Sequence, residues 1–359
     1  MPVSFPERLK RLRSWLRRKG GGGFLVSSPE NRRYLSGFKA QDVSLKETAG
    51  LLLVTPAEAF ILTDPRYQEE ARELPDFEAL IYRRSLIQTL AALIRRLGLR
   101  QLFYEENFIS CGRMEALRRA LPEVRFRGVS GVIERWREIK SPEEILLIRE
   151  AEARARKILR IVEQEIRPGI SEKKMAWRIL ELCHHLGDGP SFPPIVAGGP
   201  NAARPHAEPT DRLLREGEAV IVDLGVRYKG YCSDLTRTFF LGRVPERLRE
   251  ALHLVRKARE EARPFLKPGL PIAQADRRVR GFFQQAGVLP HYLHALGHGV
   301  GLEVHEAPSV SYRSRRTFRA GQVITLEPGL YFRDLGGVRE EEMVYLLNPG
   351  EPLPPLPED

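Results

Sequence analysis

The stretch that decides the fold lies at residues 219–238 and reads AVIVDLGVRYKGYCSDLTRT. It opens with an apolar run that ends at Asp223, and a second acidic residue, Asp234, follows eleven residues later. The runs 219–224 and 236–241 are rich in β-branched and aromatic residues, which predicts two strands. A hairpin of these strands would bring the two carboxylates together.

Three more residues of metal-binding type stand in similar positions further along the chain. His298 lies within GHGVG, Glu327 follows the apolar run VITL, and Glu341 lies in GGVREEE. Taken singly, each of the five residues is typical of a turn or loop. Because each ends or interrupts a predicted strand, we expect the five side chains to converge on the interior of a sheet.

Such a convergence has an electrostatic consequence. Several buried carboxylates repel each other at high cost unless cations neutralise them. An oxygen-rich donor set with one imidazole favours manganese, cobalt or iron, and zinc also fits. Four carboxylates are too many for one catalytic zinc, so two metal ions that share bridging carboxylates fit better.

The rest of the chain predicts two domains in an α/β (α+β) protein. A length of 359 residues is well above the ~150 residues of a typical domain. Ser141 and Glu144 form a capping box that begins a long helix, and we place the boundary just before it, giving domains 1–132 and 133–359. Periodicity predicts further helices at 7–19, 86–97, 246–266 and 272–286, and strands at 24–26, 51–54, 59–63, 101–104, 323–326 and 343–347.

Composition excludes several classes of protein. The net charge of +11 comes mostly from arginine interleaved with glutamate, which is typical of salt-bridged helix faces, so no nucleic-acid partner is expected. No apolar run approaches the ~20 residues of a membrane-spanning helix, so no membrane partner is expected. The three cysteines are far apart, which suits a reducing compartment, and we expect a cytoplasmic protein.

The order of these motifs resembles that of the pita-bread metallopeptidases. The shared pattern is Asp, eleven residues to a second Asp, then Gly-His-Gly-x-Gly, Glu-Pro-Gly and Gly-Val-Arg-x-Glu. Additional segments resemble the Xaa-Pro peptidase branch, which includes prolidase and aminopeptidase P: SFPPIV (191–196), GPN (199–201), His206, HALGH (294–298) and HEAP (305–308). The first third is similar to the creatinase-type N-terminal domain of that branch, at Asn31, YLSGF (34–38) and TDPRY (63–67).

The resemblance implies a role for each metal ligand. Asp223 would bind one metal ion, Asp234 and Glu341 would bridge both ions, and His298 and Glu327 would bind the second. The cofactors would be two divalent ions, with manganese or cobalt preferred and zinc or iron as alternatives.

The resemblance also implies substrate contacts. His206 and His305 would hydrogen-bond the reacting groups, and Glu327 would shuttle the proton. His294 would contact the substrate or form a wall of the pocket. Arg339 would orient the ligands or meet a substrate carboxylate, and the alternative is a pairing with neighbouring glutamates.

One position departs from the family pattern. The residue between Arg339 and the ligand is usually apolar, and here it is Glu340. The register of the family's Arg-x-Glu pattern implies that Glu341 is the ligand, and strand alternation then turns Glu340 and Glu342 to the other face. The alternative, ligation by Glu340 or Glu342, would break that register. Cys232 has no base spaced around it and is expected to be a small buried residue. Two adjacent histidines on a helix point in different directions, so 183–185 is expected to be a helix end and not a metal pair.

The expected activity is therefore hydrolysis of the bond between an N-terminal residue and proline. The substrate would be a proline-containing dipeptide, as for prolidase, or a longer peptide, as for aminopeptidase P. The alternatives are a non-catalytic peptide-binding module on the same fold and an aminopeptidase of other N-terminal specificity. The resemblance also implies a homodimer.

Overall fold

The computed structural model describes residues 4–42, 44 and 47–356. Contacts divide the chain into two compact units, one ending at Arg137 and the other beginning at Glu138. None of the helices formed by the described residues is long and apolar enough to cross a membrane.

The N-terminal unit is a mixed sheet with helices packed against it. Its strands are β1 (Gly23–Val26), β2 (Leu51–Val54), β3 (Ala59–Thr63), β4 (Glu78–Ile81), β5 (Gln101–Glu105) and β6 (Arg125–Val129). They lie in the order β4-β3-β2-β1-β5-β6. Its helices are α1 (Phe5–Arg18), α2 (Pro29–Ser36), α3 (Gln68–Arg72), α4 (Leu86–Arg96), α5 (Cys111–Ala120) and α6 (Glu134–Arg137).

Two local predictions in this unit are confirmed. The first helix buries Leu9, Leu12 and Leu16 on one face, as their helical spacing requires. Strands β2 and β3 pair antiparallel around the predicted turn. The apolar sheet residues and α4 then form one core.

The C-terminal unit contains four long helices. These are α7 (Pro142–Glu165), α8 (Glu172–Leu186), α9 (Glu246–Ala262) and α10 (Ile272–Gln285). The predicted capping box is present, because the Ser141 hydroxyl accepts from the Glu144 amide and the Glu144 carboxylate accepts from the Ser141 amide. The predicted helix at 246–266 is shorter than expected, since residues from Arg263 onward turn into a 3₁₀ segment at Pro264.

The strands of this unit hold the predicted ligands. They are β7 (Gly189–Pro190), β8 (Ile195–Gly198), β9 (Ala219–Leu224), β10 (Val226–Tyr228), β11 (Tyr231–Cys232), β12 (Leu235–Phe240), β13 (Gly297–Gly299), β14 (Glu306–Val310), β15 (Gln322–Leu326), β16 (Gly329–Phe332), β17 (Gly336–Arg339) and β18 (Glu342–Leu346). The described strands form sheets in the orders β12-β9-β8, β14-β13-β15-β18, β11-β10-β7 and β16-β17. Helices α9 and α10 cover apolar residues of the strands and form the main core.

Candidate metal centre

The hairpin predicted from residues 219–238 is present, and two short strands are inserted between its two arms. Strands β9 and β12 pair antiparallel with Asp223 opposite Thr236. The small ribbon of β10 and β11 lies between them in sequence, and Asp234 directly precedes β12. Ligand atoms of Asp223, Asp234 and Glu341 consequently lie within 4.8 Å of one another.

A second donor group adjoins the first. Ligand atoms of His298, Glu327 and Glu341 also lie within 4.8 Å of one another, so Glu341 belongs to both groups. His298 Nε2 is 3.5 Å from Asp234 Oδ2 and 3.5 Å from Glu327 Oε1. The structure therefore brings together all five residues that the sequence predicts as ligands.

Close approach of strands places His298 in this group. Strand β13 runs antiparallel to β15, which ends one residue before Glu327. A Cβ atom on Gly297 would lie 2.1 Å from the main-chain oxygen of Thr325. Only glycine fits at that contact, so the glycines that flank the histidine allow its strand to approach the acidic strand.

The electrostatics of the site are those of a cation-binding cavity. Burial, followed by repulsion from neighbouring carboxylates, raises the pKa of Asp234 and of Glu341 well above the ordinary range. Burial raises the pKa of Glu327 to about 7. Burial lowers the pKa of His298 to about 4, so its imidazole is neutral and able to act as a ligand at neutral pH.

Buried oxygen atoms that lack a hydrogen-bond partner indicate whether the site suits a metal ion. Three buried carboxylate oxygens of the donor residues have no hydrogen-bond partner among the described residues: Asp223 Oδ1, Asp234 Oδ1 and Glu341 Oε1. A buried acceptor without a partner is costly, and a coordinated cation removes that cost. The donor set therefore fits divalent metal ions.

Neighbouring side chains orient the donors. Arg339 Nη2 donates to Asp223 Oδ2 at 2.7 Å, and Nη1 donates to the Tyr331 hydroxyl at 2.8 Å. The Thr236 hydroxyl donates to Glu341 Oε2 at 2.8 Å and accepts from Arg339 Nε. Because the Arg339 guanidinium is buried and fully engaged, the geometry favours ligand orientation over a substrate contact for this residue.

Sequence reasoning missed two of these orienting residues. Thr236 lies two residues after Asp234, and strand alternation places such a pair on one face, so this signal was available in the sequence. Tyr331 had no local signal, because its contact with Arg339 arises from the pairing of β16 with β17.

The predicted alternation around Glu341 is confirmed. Glu340 lies 3.4 Å from Arg256 and from Arg259, and Glu342 lies 2.7 Å from Arg259. Both acidic side chains therefore face away from the donor groups. The neighbouring glutamates do not pair with Arg339, whose acidic partner is Asp223.

The three further histidines line the same cavity. His294 Nε2 lies 2.9 Å from the Tyr331 hydroxyl, and the rings of His298 and His305 lie 4.2 Å apart. His206 reaches the cavity from the loop after β8. The cavity measures about 480 Å³, and residues 192–195 contribute apolar side chains to its lining.

The cysteines behave as expected. Cys232 is buried and its thiol lies 3.7 Å from the main-chain oxygen of Leu302. Residues 183–185 end helix α8, and they belong to no donor group found among the described residues.

A cavity lined by converging acids and a neutral histidine, on a sheet covered by helices, defines a metal-dependent hydrolase. Residues 147–348 match metallopeptidase family M24, and residues 8–139 match the creatinase/prolidase N-terminal domain. The chain belongs to metallopeptidase family M24. The family and the two-part fold predicted from the sequence are thus confirmed.

Relatives of known name agree with this assignment. The chain is 31% identical to the Xaa-Pro dipeptidase of Pyrococcus horikoshii, over 96% of this chain and 95% of the relative. Among solved structures, it is similar to an Xaa-Pro dipeptidase from Bacillus anthracis, with a TM-score of 0.90, 32% identity and coverage of 97% and 96% of the two chains. It is also similar to an X-Pro aminopeptidase from Thermotoga maritima, with a TM-score of 0.87, 29% identity and coverage of 97% and 98%. The protein is a metallo-exopeptidase.

Proposed function

We propose that the protein uses two divalent metal ions to hydrolyse the bond between an N-terminal residue and proline. The observation that carries the proposal is the membership of Glu341 in both donor groups. One carboxylate within reach of two clusters is the arrangement that a bridging ligand requires. Relatives named Xaa-Pro dipeptidase and X-Pro aminopeptidase support the choice of bond.

Each ligand has a proposed place. Asp223 would hold one ion, His298 and Glu327 the other, and Asp234 and Glu341 both. Oxygen donors with one imidazole favour manganese or cobalt, and zinc or iron also fits. When bound, the ions would supply Lewis-acid chemistry at the scissile bond.

The chain's own residues would position and protonate the reacting groups. Glu327 borders the cavity with 19% of its side chain exposed, so its carboxylate can take a proton and return it to the leaving nitrogen. His206 and His305 face the cavity from separate loops and would donate hydrogen bonds to the substrate as charge develops. His294, held by Tyr331, would border the same space.

The apolar wall suits a proline ring. Phe192, Pro193, Pro194 and Ile195 present apolar surface in the same cavity as the acidic donors. A peptide bond to proline has no N–H group, so its recognition must rest on packing and on the carbonyl oxygen. The acidic donors would in turn attract the free amino group of the substrate.

The test is metal-dependent hydrolysis of Ala-Pro, Ala-Pro-Ala and Ala-Ala by metal-stripped protein to which manganese or cobalt is returned. The Glu341→Ala variant is expected to lose activity, and Glu340→Ala serves as the matched control because its side chain faces away. Cleavage of Ala-Pro alone indicates a dipeptidase, and cleavage of Ala-Pro-Ala indicates an aminopeptidase.

Other outcomes select the alternatives. Cleavage of Ala-Ala in preference to both proline peptides would indicate other N-terminal specificity. Saturable binding of Ala-Pro-Ala without turnover under any metal would favour a non-catalytic peptide-binding module. The homodimer and the cytoplasmic location stay predictions.

A further inference from the structure

A second cavity lies on the reverse side of the segment that carries Glu341. It measures about 340 Å³ and lies between α7, β12 and α9. Its charged lining consists of four arginines and two glutamates: Arg156, Arg160, Arg237, Arg256, Glu163 and Glu340. The excess of arginine leaves this cavity positively charged, in contrast to the acidic metal centre.

The arginines differ in how far their charge is already balanced. Arg156 pairs with Glu152, and Arg256 shares Glu340 with Arg259. Among the described residues, Arg160 and Arg237 have no carboxylate within 4.0 Å. Two guanidinium groups without a close carboxylate partner thus face one cavity, which Glu163 also lines.

Arg237 is the more constrained of the two. It is half-buried, and its Nη1 donates to the main-chain oxygens of Thr236, at 2.8 Å, and Glu341, at 2.6 Å. These contacts use one nitrogen and leave the Nε and Nη2 donors without a partner among the described residues. A guanidinium fixed in this way presents donors in the fork geometry that matches a phosphate group.

We propose that this cavity binds a small phosphate-bearing dianion. Arg237 and Arg160 would donate to the phosphate oxygens, and the excess of arginine over glutamate in the lining favours an anion. Leu159 and Phe239 add an apolar surface that suits the organic part of a phosphate ester. The volume is at the lower end of the range for small-molecule sites, about 300–1,000 Å³.

The experiment is isothermal titration of the manganese-loaded protein with inorganic phosphate and with AMP, at fixed ionic strength in chloride. Arg160→Ala is the main variant, since this exposed side chain makes no contact that the fold needs. Arg215→Ala, an exposed arginine outside the cavity, is the matched control. Loss of one guanidinium contact is expected to weaken binding by about tenfold or more, while the control binds as the wild type does.

The outcomes separate this site from the metal centre. Phosphate that coordinates the metal ions would bind equally to wild type and Arg160→Ala, and that result would overturn the proposal. Absence of saturable binding by either probe would also overturn it. Tighter binding of AMP than of phosphate, lost in Arg160→Ala, identifies a phosphate ester as the ligand class, and equal binding identifies the phosphate group alone.

Discussion

Burial of the donor carboxylates predicts that the metal-free protein becomes more stable when one of them is neutralised. The change is Glu327→Gln, which keeps the shape of the side chain and removes its charge. The pKa of Glu327 is raised from 4.5 to about 7 by burial. A carboxyl with a raised pKa stabilises the fold fully below pH 4.5, and that contribution is lost as the pH rises through 7.

The magnitude follows from the same shift. The rise in the pKa of Glu327 from 4.5 to about 7 corresponds to about 3 kcal/mol of unfolding free energy. Above pH 7, ionised Glu327 lowers the stability of the metal-free wild type by this amount. Glu327→Gln is therefore expected to be more stable than the wild type by up to this amount at pH 8. The advantage should shrink towards pH 5, where the wild-type carboxyl is protonated.

A matched control lies thirteen residues further along the chain. Glu340 is also buried, but it is paired with Arg256 and Arg259 and not with other acids. Glu340→Gln should therefore have the opposite sign and destabilise the protein by about 1–3 kcal/mol at pH 8.

The assay is thermal unfolding followed by calorimetry, in the presence of a chelator, at pH 5 and pH 8. Adding manganese at a hundredfold excess over its dissociation constant should stabilise the wild type by about 2.7 kcal/mol, and Glu327→Gln by much less. If metal-free Glu327→Gln unfolds at or below the wild-type temperature at pH 8, the account of the site as a cavity that penalises an ionised Glu327 is wrong.

Three further predictions concern residues around the site. Glu172 is buried and accepts hydrogen bonds from both ends of the loop 198–210, which carries His206. Glu172→Ala should therefore raise KM more than it lowers metal affinity, and an unchanged KM in steady-state kinetics would contradict this. Arg339→Lys loses the planar guanidinium that contacts Asp223, Thr236 and Tyr331 together. It should weaken metal binding by about 10–100-fold in a calorimetric titration, whereas equal affinity would refute an orienting role. Ser141→Ala removes the cap of α7 and should lower the unfolding free energy by about 1 kcal/mol in denaturant titrations without changing kcat, and a loss of activity at full stability would contradict a purely structural role.

The five candidate ligands could be located in the sequence because each ends or interrupts a local pattern. Asp223 and Glu327 end apolar runs that can only be buried strands, and Gly297 marks a close approach of chains. Such signals are local, and the strand type and period fix the direction of each side chain. The convergence of the five donors required only that these strand ends meet.

The residues that orient the donors could be predicted only in part, because their contacts join distant segments. Arg339 was noticed, but its acidic partner is Asp223, 116 residues earlier, and not an adjacent glutamate. Glu172 carries no motif and acts through four hydrogen bonds to a loop 26 to 38 residues away. Hydrophobic periodicity in the sequence indicates which face of a helix or strand a residue occupies. It does not indicate which distant segment packs against that face.

The extended segment 339–342, which joins β17 to β18, turns alternate side chains to opposite sides. Arg339 and Glu341 point towards the metal centre, and Glu340 and Glu342 point towards α9. Because side chains alternate with period two, a slip of one residue would exchange the inward and outward sets. Arg259 contacts both outward glutamates, so such a slip would leave its guanidinium without an acidic partner. The unusual acidic residue at 340 therefore pairs with helix α9 and leaves Glu341 as the glutamate of this segment on the donor side.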